Sequence, residues 1–452
     1  VSKLALVLRG LLVKHRELVV VTLAALAVRL AWNLWIHRPL DYVFSDMGGY
    51  LERAQTRLDH PDEHIPYFTL FPWGTHVLLS LVKLVFGRDN GTAIGVTYAA
   101  LGAGAVGYSF ATAKRLTRAR WAPRVVGAIL VVYYPWIALG GYTLSEPPFT
   151  LLLAATAFYA LRLADRGRGR DAWLLGVALA LGAVFRPQIL VALPLFALHL
   201  LFRRRSWHRW SARRVLPALA VPLAIILALS AWRVEWHRGE LGGISSNGPL
   251  NFAFGRCHAT TITSTGPNRK GIYSPPSLGA LARRDKEHPD AFLRLDPAMG
   301  TTLHFEGYMW DAAPLYAMAS ECVHHTGLLR QAKYALTHVV LLFAYNVMWP
   351  DQNARPPFRP SMETSLALDQ VLVLPAALVA MIFAFRRRHA RQMLLALHVW
   401  GLFLVAVVYF GDTRLRAPYD GMLVILAVVT WAAGLRRIRE QLASRRERQA
   451  AG

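Results

Sequence analysis

Two carboxylates and several arginines stand in short polar breaks of a chain that is otherwise largely apolar. Asp46 lies in the run Asp41-Tyr-Val-Phe-Ser-Asp46-Met-Gly-Gly-Tyr50-Leu-Glu-Arg-Ala54, and Glu146 in Gly141-Tyr-Thr-Leu-Ser145-Glu146-Pro147-Pro148-Phe149. Arg186 follows in Phe185-Arg186-Pro187-Gln188. Arg414 and Arg416 come last, in Gly411-Asp412-Thr413-Arg414-Leu415-Arg416-Ala417-Pro418-Tyr419, and Arg29 sits inside an early apolar run. A carboxylate is already ionised at neutral pH and can take a proton from a hydroxyl. Guanidinium groups grip phosphate oxygens in pairs. Acids opposite arginines therefore suit a hydroxyl acceptor and a phosphate-bearing donor.

Each site also has a simpler explanation. Ser45 or Asp46 would cap a helix through Tyr50 to Leu58. Ser145-Glu146-Pro147 opens a helix well, because proline is tolerated in the first turn and an acid complements the N-terminal dipole. Single arginines could pair with a local acid such as Asp412 or with lipid headgroups. Ionisable groups at membrane depth are costly, however, and are functional candidates for that reason. Gly102-Ala-Gly104-Ala-Val-Gly107 matches a dinucleotide-binding spacing but lies within an apolar run with no strand before it, so it reads as close helix packing. His258, His304, His324 and His325 follow no metal-ligand spacing, and the expectation is no metal and no cofactor.

The elements that position these residues follow from composition. The chain has 452 residues, 54% apolar and only 17% charged, with 51 Lys and Arg against 27 Asp and Glu, a net charge of +24. A disordered basic tail would lack so many large apolar residues. A nucleic-acid binder would spread its basic residues over a polar face; here they punctuate long apolar runs, so no nucleic-acid partner is expected and the bilayer is. Basic clusters at 3–16, 114–124, 162–170, 203–214, 386–391 and 436–448 should share the cytoplasmic side. That arrangement predicts ten spans, near 18–36, 92–112, 122–138, 147–163, 172–185, 188–202, 213–232, 368–385, 393–410 and 419–435. The run before Trp35 has no small-residue cleavage site and reads as an uncleaved first span. Thr75–Phe86 and Tyr334–Trp349 are then left as helices on, or dipping into, the outer face.

The expected architecture is an all-α polytopic membrane protein. Residues 1–232 form an N-terminal transmembrane module whose first outer loop is 37–91. Residues 233–367 form an extracytoplasmic segment, 368–435 the last transmembrane helices, and 436–452 a basic cytoplasmic tail. Cys257 and Cys322, the two cysteines, both fall in the outer segment. An oxidising compartment would allow a disulfide between them; spacing alone leaves two free thiols equally open.

These motifs resemble those of membrane glycosyltransferases with the GT-C fold, particularly bacterial relatives of protein mannosyltransferases and of the lipid A aminoarabinose transferase (glycosyltransferase family 39-like). The resemblance rests on Phe44 to Ala54, Pro72-Trp-Gly-Thr-His76 to Phe86-Gly87, Leu144 to Phe149, Phe185 to Gln188, and Gly411 to Tyr419. It implies a sugar delivered on a polyprenyl phosphate and moved, with inversion, to a lipid, glycan or protein acceptor. The place would be the outer face of a bacterial cytoplasmic membrane. Asp46 would be the general base and Glu146 a second acid that orients substrate. Arg186, Arg414, Arg416 and Arg29 are the candidates for the donor phosphate. Tyr50, His258 and Tyr419 are candidates for further substrate contact. Met47 stands where the mannosyltransferases carry a second acid. The competing function is a transporter or flippase for a lipid-linked glycan, which would use the same arginines; no internal repeat favours it.

Overall fold

The computed structural model describes residues 15–202, 211–257, 262–264, 303–305, 310–343, 348, 350, 358–386 and 390–451. The chain is helical almost throughout. Helix α1 (Arg16–Ala31) runs into a wide π turn, Trp32–Ile36. Two short helices follow, α2 (Asp46–Asp59) and α3 (Gly74–Phe86), and then the long α4 (Gly91–Leu116). Helices α5 (Trp121–Val131) and α6 (Tyr134–Gly140) form one rod bent by 43°. Pro135 falls in the first turn of α6, where its missing N–H costs nothing. Helices α7 (Glu146–Arg166) and α8 (Gly169–Phe185) form a hairpin closed at Gly167, whose φ of 64° makes it the left-handed residue that ends α7. Next come α9 (Ala192–Phe202) and α10 (Ala212–Arg238).

The segment after α10 contributes α11 (Gly248–Arg256), a parallel pair of three-residue strands, β1 (Ile262–Ser264) and β2 (Leu303–Phe305), and α12 (Ala312–Leu341). Helices α13 (Phe358–Leu368) and α14 (Leu374–Phe383) are joined by a π turn. They are followed by α15 (Ala390–Val408), the four-residue α16 (Thr413–Arg416) and α17 (Asp420–Ala451).

Among the described residues seven helical stretches are long and apolar enough to cross a membrane, or eight if the bent α5–α6 rod is one span. Helices occupy all ten stretches expected to span, with differences in length and bounds. The stretches near 172–185 and 188–202 are helical, but α8 has only 17 residues and the apolar helix Pro187–His199 is also short. Helix α8 packs between α7 and α10, and α9 lies against α15. The span expected to begin at 368 begins at Phe358. The surface helix expected at 334–349 is the second half of α12, which breaks at Gly327 where φ is 74°. The tail after 435 continues α17 rather than starting anew.

Large apolar side chains on the spans face outward: Val20, Leu23, Trp232, Val371 and Ile382 are all more than half exposed. Only helices or closed barrels satisfy their own backbone in lipid, and this pattern of apolar exterior fits the former. Small residues bring the helices together. A Cβ on Gly107 would stand 2.7 Å from Thr22 Oγ1, so α4 lies directly on α1 and the glycine run is packing.

Ion pairs collect the basic loops at one end. Glu17 binds Arg124 at 2.7 Å and Lys114 at 3.6 Å, while Asp165 binds Arg115 at 3.2 Å and Arg391 at 2.8 Å. Charge clusters from four separate parts of the chain thus share one face. Arg186, Arg414 and the start of α7 lie at the other.

Candidate active site

Helix α2 opens with a strained residue. Ser45 has φ 51°, ψ −126°, the one non-glycine with positive φ among the described residues. Such strain costs about 1–3 kcal/mol and persists only where the surroundings impose it. Its hydroxyl makes no cap, so the capping role open to Ser45 in the sequence is not taken. Asp46 instead sends Oδ2 across the molecule to Arg414 Nη1, 3.1 Å away, and keeps a side chain 29% exposed.

Glu146 starts α7, held there by Pro147 and Pro148 in the first turn, and its side chain is fully buried. Oε1 accepts from Arg186 Nη2 at 2.5 Å and from Arg414 Nε. Ser145 closes the ring: its hydroxyl accepts from Arg186 Nε at 3.0 Å and donates to Glu146 Oε2 at 3.3 Å. Arg186 is itself the extended residue that ends α8 before Pro187. Gly74 is essential to that end, because a Cβ there would lie 2.8 Å from the Val184 carbonyl.

Arg414 is aimed by its own neighbour. The Asp412 carboxylate accepts from the Arg414 backbone N–H at 2.6 Å, capping α16 and leaving the guanidinium for Glu146 and Asp46. Burial raises the Asp412 carboxyl above its ordinary range, against the pull of that N–H and of the Arg414 charge. The quartet Asp46, Glu146, Arg186 and Arg414 is balanced in formal charge and drawn from four separate parts of the chain.

Tyr50 lies one turn beyond Asp46 and is buried. Burial, with the negative charges of Asp46 and Glu146, pushes its phenol up to about 12, so it stays protonated and can donate a hydrogen bond. Tyr419 OH accepts from Gln188 Nε2 at 3.3 Å, behind Arg186. Cys257 and Cys322 are joined by a disulfide that ties the end of α11 to α12. His258 lies outside the described residues.

The remaining arginines are engaged elsewhere. Arg416 is two residues from Arg414, about 200° around a helix, and so faces another partner set. It pairs with Asp420 at 2.9 Å and Asp369 at 3.2 Å, and the Tyr133 hydroxyl lies between the two carboxyl groups, within hydrogen-bond distance of both. Arg29 donates to the carbonyls of Ala25, Leu130 and Val131, serving the C-terminal end of α5 where the rod bends. Neither is bonded to the quartet. Asp369, Asp420 and Tyr133 escaped the sequence reading, although a carboxylate inside an apolar run, as at Asp420, was the signal. Also missed was Arg53, on the same face of α2 as Asp46 and Tyr50. Among the described residues no three His, Cys, Asp or Glu side chains gather as metal ligands.

The family described as dolichyl-phosphate-mannose-protein mannosyltransferase matches residues 71–232. That stretch holds Glu146 and Arg186 but stops well before Arg414. Among solved structures, the chain is similar to ArnT from Cupriavidus metallidurans bound to undecaprenyl phosphate. The match has 14% identity and a TM-score of 0.39, covering 94% of this chain and 80% of that one. The apo state of the same protein gives 15% identity and a TM-score of 0.40, covering 91% and 76%. No curated protein matches.

Proposed function

We propose that this chain is a membrane glycosyltransferase that moves a sugar from a polyprenyl-phosphate donor to a hydroxyl acceptor, with inversion. The observation that carries the reading is the meeting of Asp46 and Glu146 with Arg186 and Arg414, at the end of the bundle away from the basic loops. The match of residues 71–232 to a mannosyltransferase family supports the same class of chemistry.

The roles follow from exposure and partners. Asp46 is the more open carboxylate, and its Oδ1 has no partner among the described residues. It is the general base that takes the acceptor proton, a contribution of roughly 10²–10⁴-fold. Glu146 is buried and shared by two guanidiniums, so it orients them rather than titrating. Arg186 and Arg414 stabilise the negative charge that grows on the departing phosphate. Tyr50 donates from a protonated phenol beside Asp46. The disulfide fits an oxidising exterior for the α11–α12 side, and Arg256 of α11 reaches the Val407 carbonyl at the end of α15 away from the basic loops. The site therefore faces outward, and the acceptor is a lipid, glycan or protein on that side of the cytoplasmic membrane.

The test is incubation of the purified protein with radiolabelled polyprenyl-phosphate sugars and membrane extract. Label should move to a product with wild-type protein, and Asp46→Asn should lower the rate at least about 10²-fold while inserting normally. Undiminished transfer by that variant would remove Asp46 as the base.

A further inference from the structure

Three irregular points of the bundle converge on Arg416. The rod α5–α6 bends by 43°, and Tyr133 stands at the bend. The join of α13 and α14 is a π turn that begins at Asp369. Helix α17 begins at Asp420, one helical turn beyond Arg416. Arg416 reaches Asp420 at 2.9 Å and Asp369 at 3.2 Å, with the Tyr133 hydroxyl between the two carboxyl groups. Its guanidinium lies 5.6 Å from the ring of Phe343, just past the end of α12. All four polar side chains are buried.

Burial alone gives little reason for such a cluster. Apolar residues of the same volume often stabilise a protein as well or better, because desolvation offsets the attraction of buried ions. Ion pairs do fix direction, and π turns gather at functional sites. What needs direction here is α16. With four residues it has barely one turn, too little to hold a helical orientation unaided. It is tied at both ends. Asp412 caps the start, and Trp136 Nε1 donates to the Ala417 carbonyl at 2.7 Å just after the end. Between these ties the two arginines leave on opposite sides, about 200° apart. Arg414 goes to Glu146 and, at 3.1 Å, to Asp46. Arg416 goes to the buried acids, so a grip on one arginine sets the aim of the other.

We propose that Asp369, Asp420 and Tyr133 act through Arg416 as positioning residues, fixing the rotation of α16 so that Arg414 meets Glu146 and Asp46. The consequence for sugar transfer rests on the function proposed above; the coupling of the two clusters does not.

Two measurements on the full chain in neutral detergent test this. The first is a double-mutant cycle read by melting temperature. Glu146 pairs with Arg186 and Arg414, and Asp369 with Arg416 and Tyr133, so Glu146→Gln and Asp369→Ala remove different pairs. The drop caused by Glu146→Gln should shrink by about half or more when Asp369→Ala is already present. Additive drops overturn the proposal. Tyr133→Phe keeps the ring and replaces Asp369→Ala in the cycle should that variant fail to fold.

The second is transfer kinetics. Asp369→Ala should lower kcat about tenfold or more with donor KM within about threefold, because Arg414 acts on charge that grows in the transition state. Tyr133 has one hydroxyl proton for two carboxyl groups. Asp369→Asn brings an N–H of its own and should keep kcat within about threefold of wild type. Full kcat in Asp369→Ala, or Asp369→Asn as slow as Asp369→Ala, overturns the positioning role. Wild-type protein that transfers no sugar overturns the function instead, and the melting cycle still decides the coupling.

Discussion

Asp46 and Glu146 carry the same charge in different surroundings, and their substitution should separate accordingly. Glu146 is wholly buried and answers two guanidiniums. Glu146→Gln leaves both unbalanced and should cost about 3–5 kcal/mol, the usual penalty for breaking a buried pair. Asp46 is partly open to water and binds one arginine, so Asp46→Asn should cost about 1 kcal/mol or less. Denaturation of the two purified variants checks the order; equal losses would contradict it. Residue types alone brought these acids and arginines together, since each carried charge where an apolar chain had no use for it. They could not say that Arg416 and Arg29 have other partners. The direction of Arg416 depends on α16 being helical, and that of Arg29 on where α5 ends.

Helix α16 is only four residues long, yet it decides which arginine reaches the acids. It can approach because Gly411 lies against α12: a Cβ there would fall 1.7 Å from the His338 carbonyl. Gly411→Ala must push the 411–416 turn away. It should destabilise by about 1–3 kcal/mol and lower transfer by moving Arg414 off Glu146; normal activity in this variant would show that the turn's position is not critical. Long apolar runs made most spans readable, with ends within a few residues for α1, α4 and α7. Hydropathy located α8 and α9 but did not show that they are shorter than the other apolar helices. The bend between α5 and α6 was hidden in the same way, since Tyr133 and Pro135 stand within an unbroken apolar run.

At the scale of the molecule, the α11–α12 lobe has a small core of its own, with Ala253, Leu315, Met318 and Ala319 packed around the disulfide. The bridged cysteines are 65 residues apart, a loop closure worth about 4 kcal/mol on the chain-entropy model. Replacing both cysteines with alanine should speed hydrogen exchange in α11 and α12 and leave the spans protected; uniform loss of protection would mean that the lobe and bundle melt together. The pairing of Glu146 with Arg414 has a consequence for biogenesis. Residue 146 is synthesised 268 residues before its partner at 414. The quartet is therefore assembled late in synthesis, and a ribosome-bound intermediate without this turn keeps Glu146 with a single guanidinium partner.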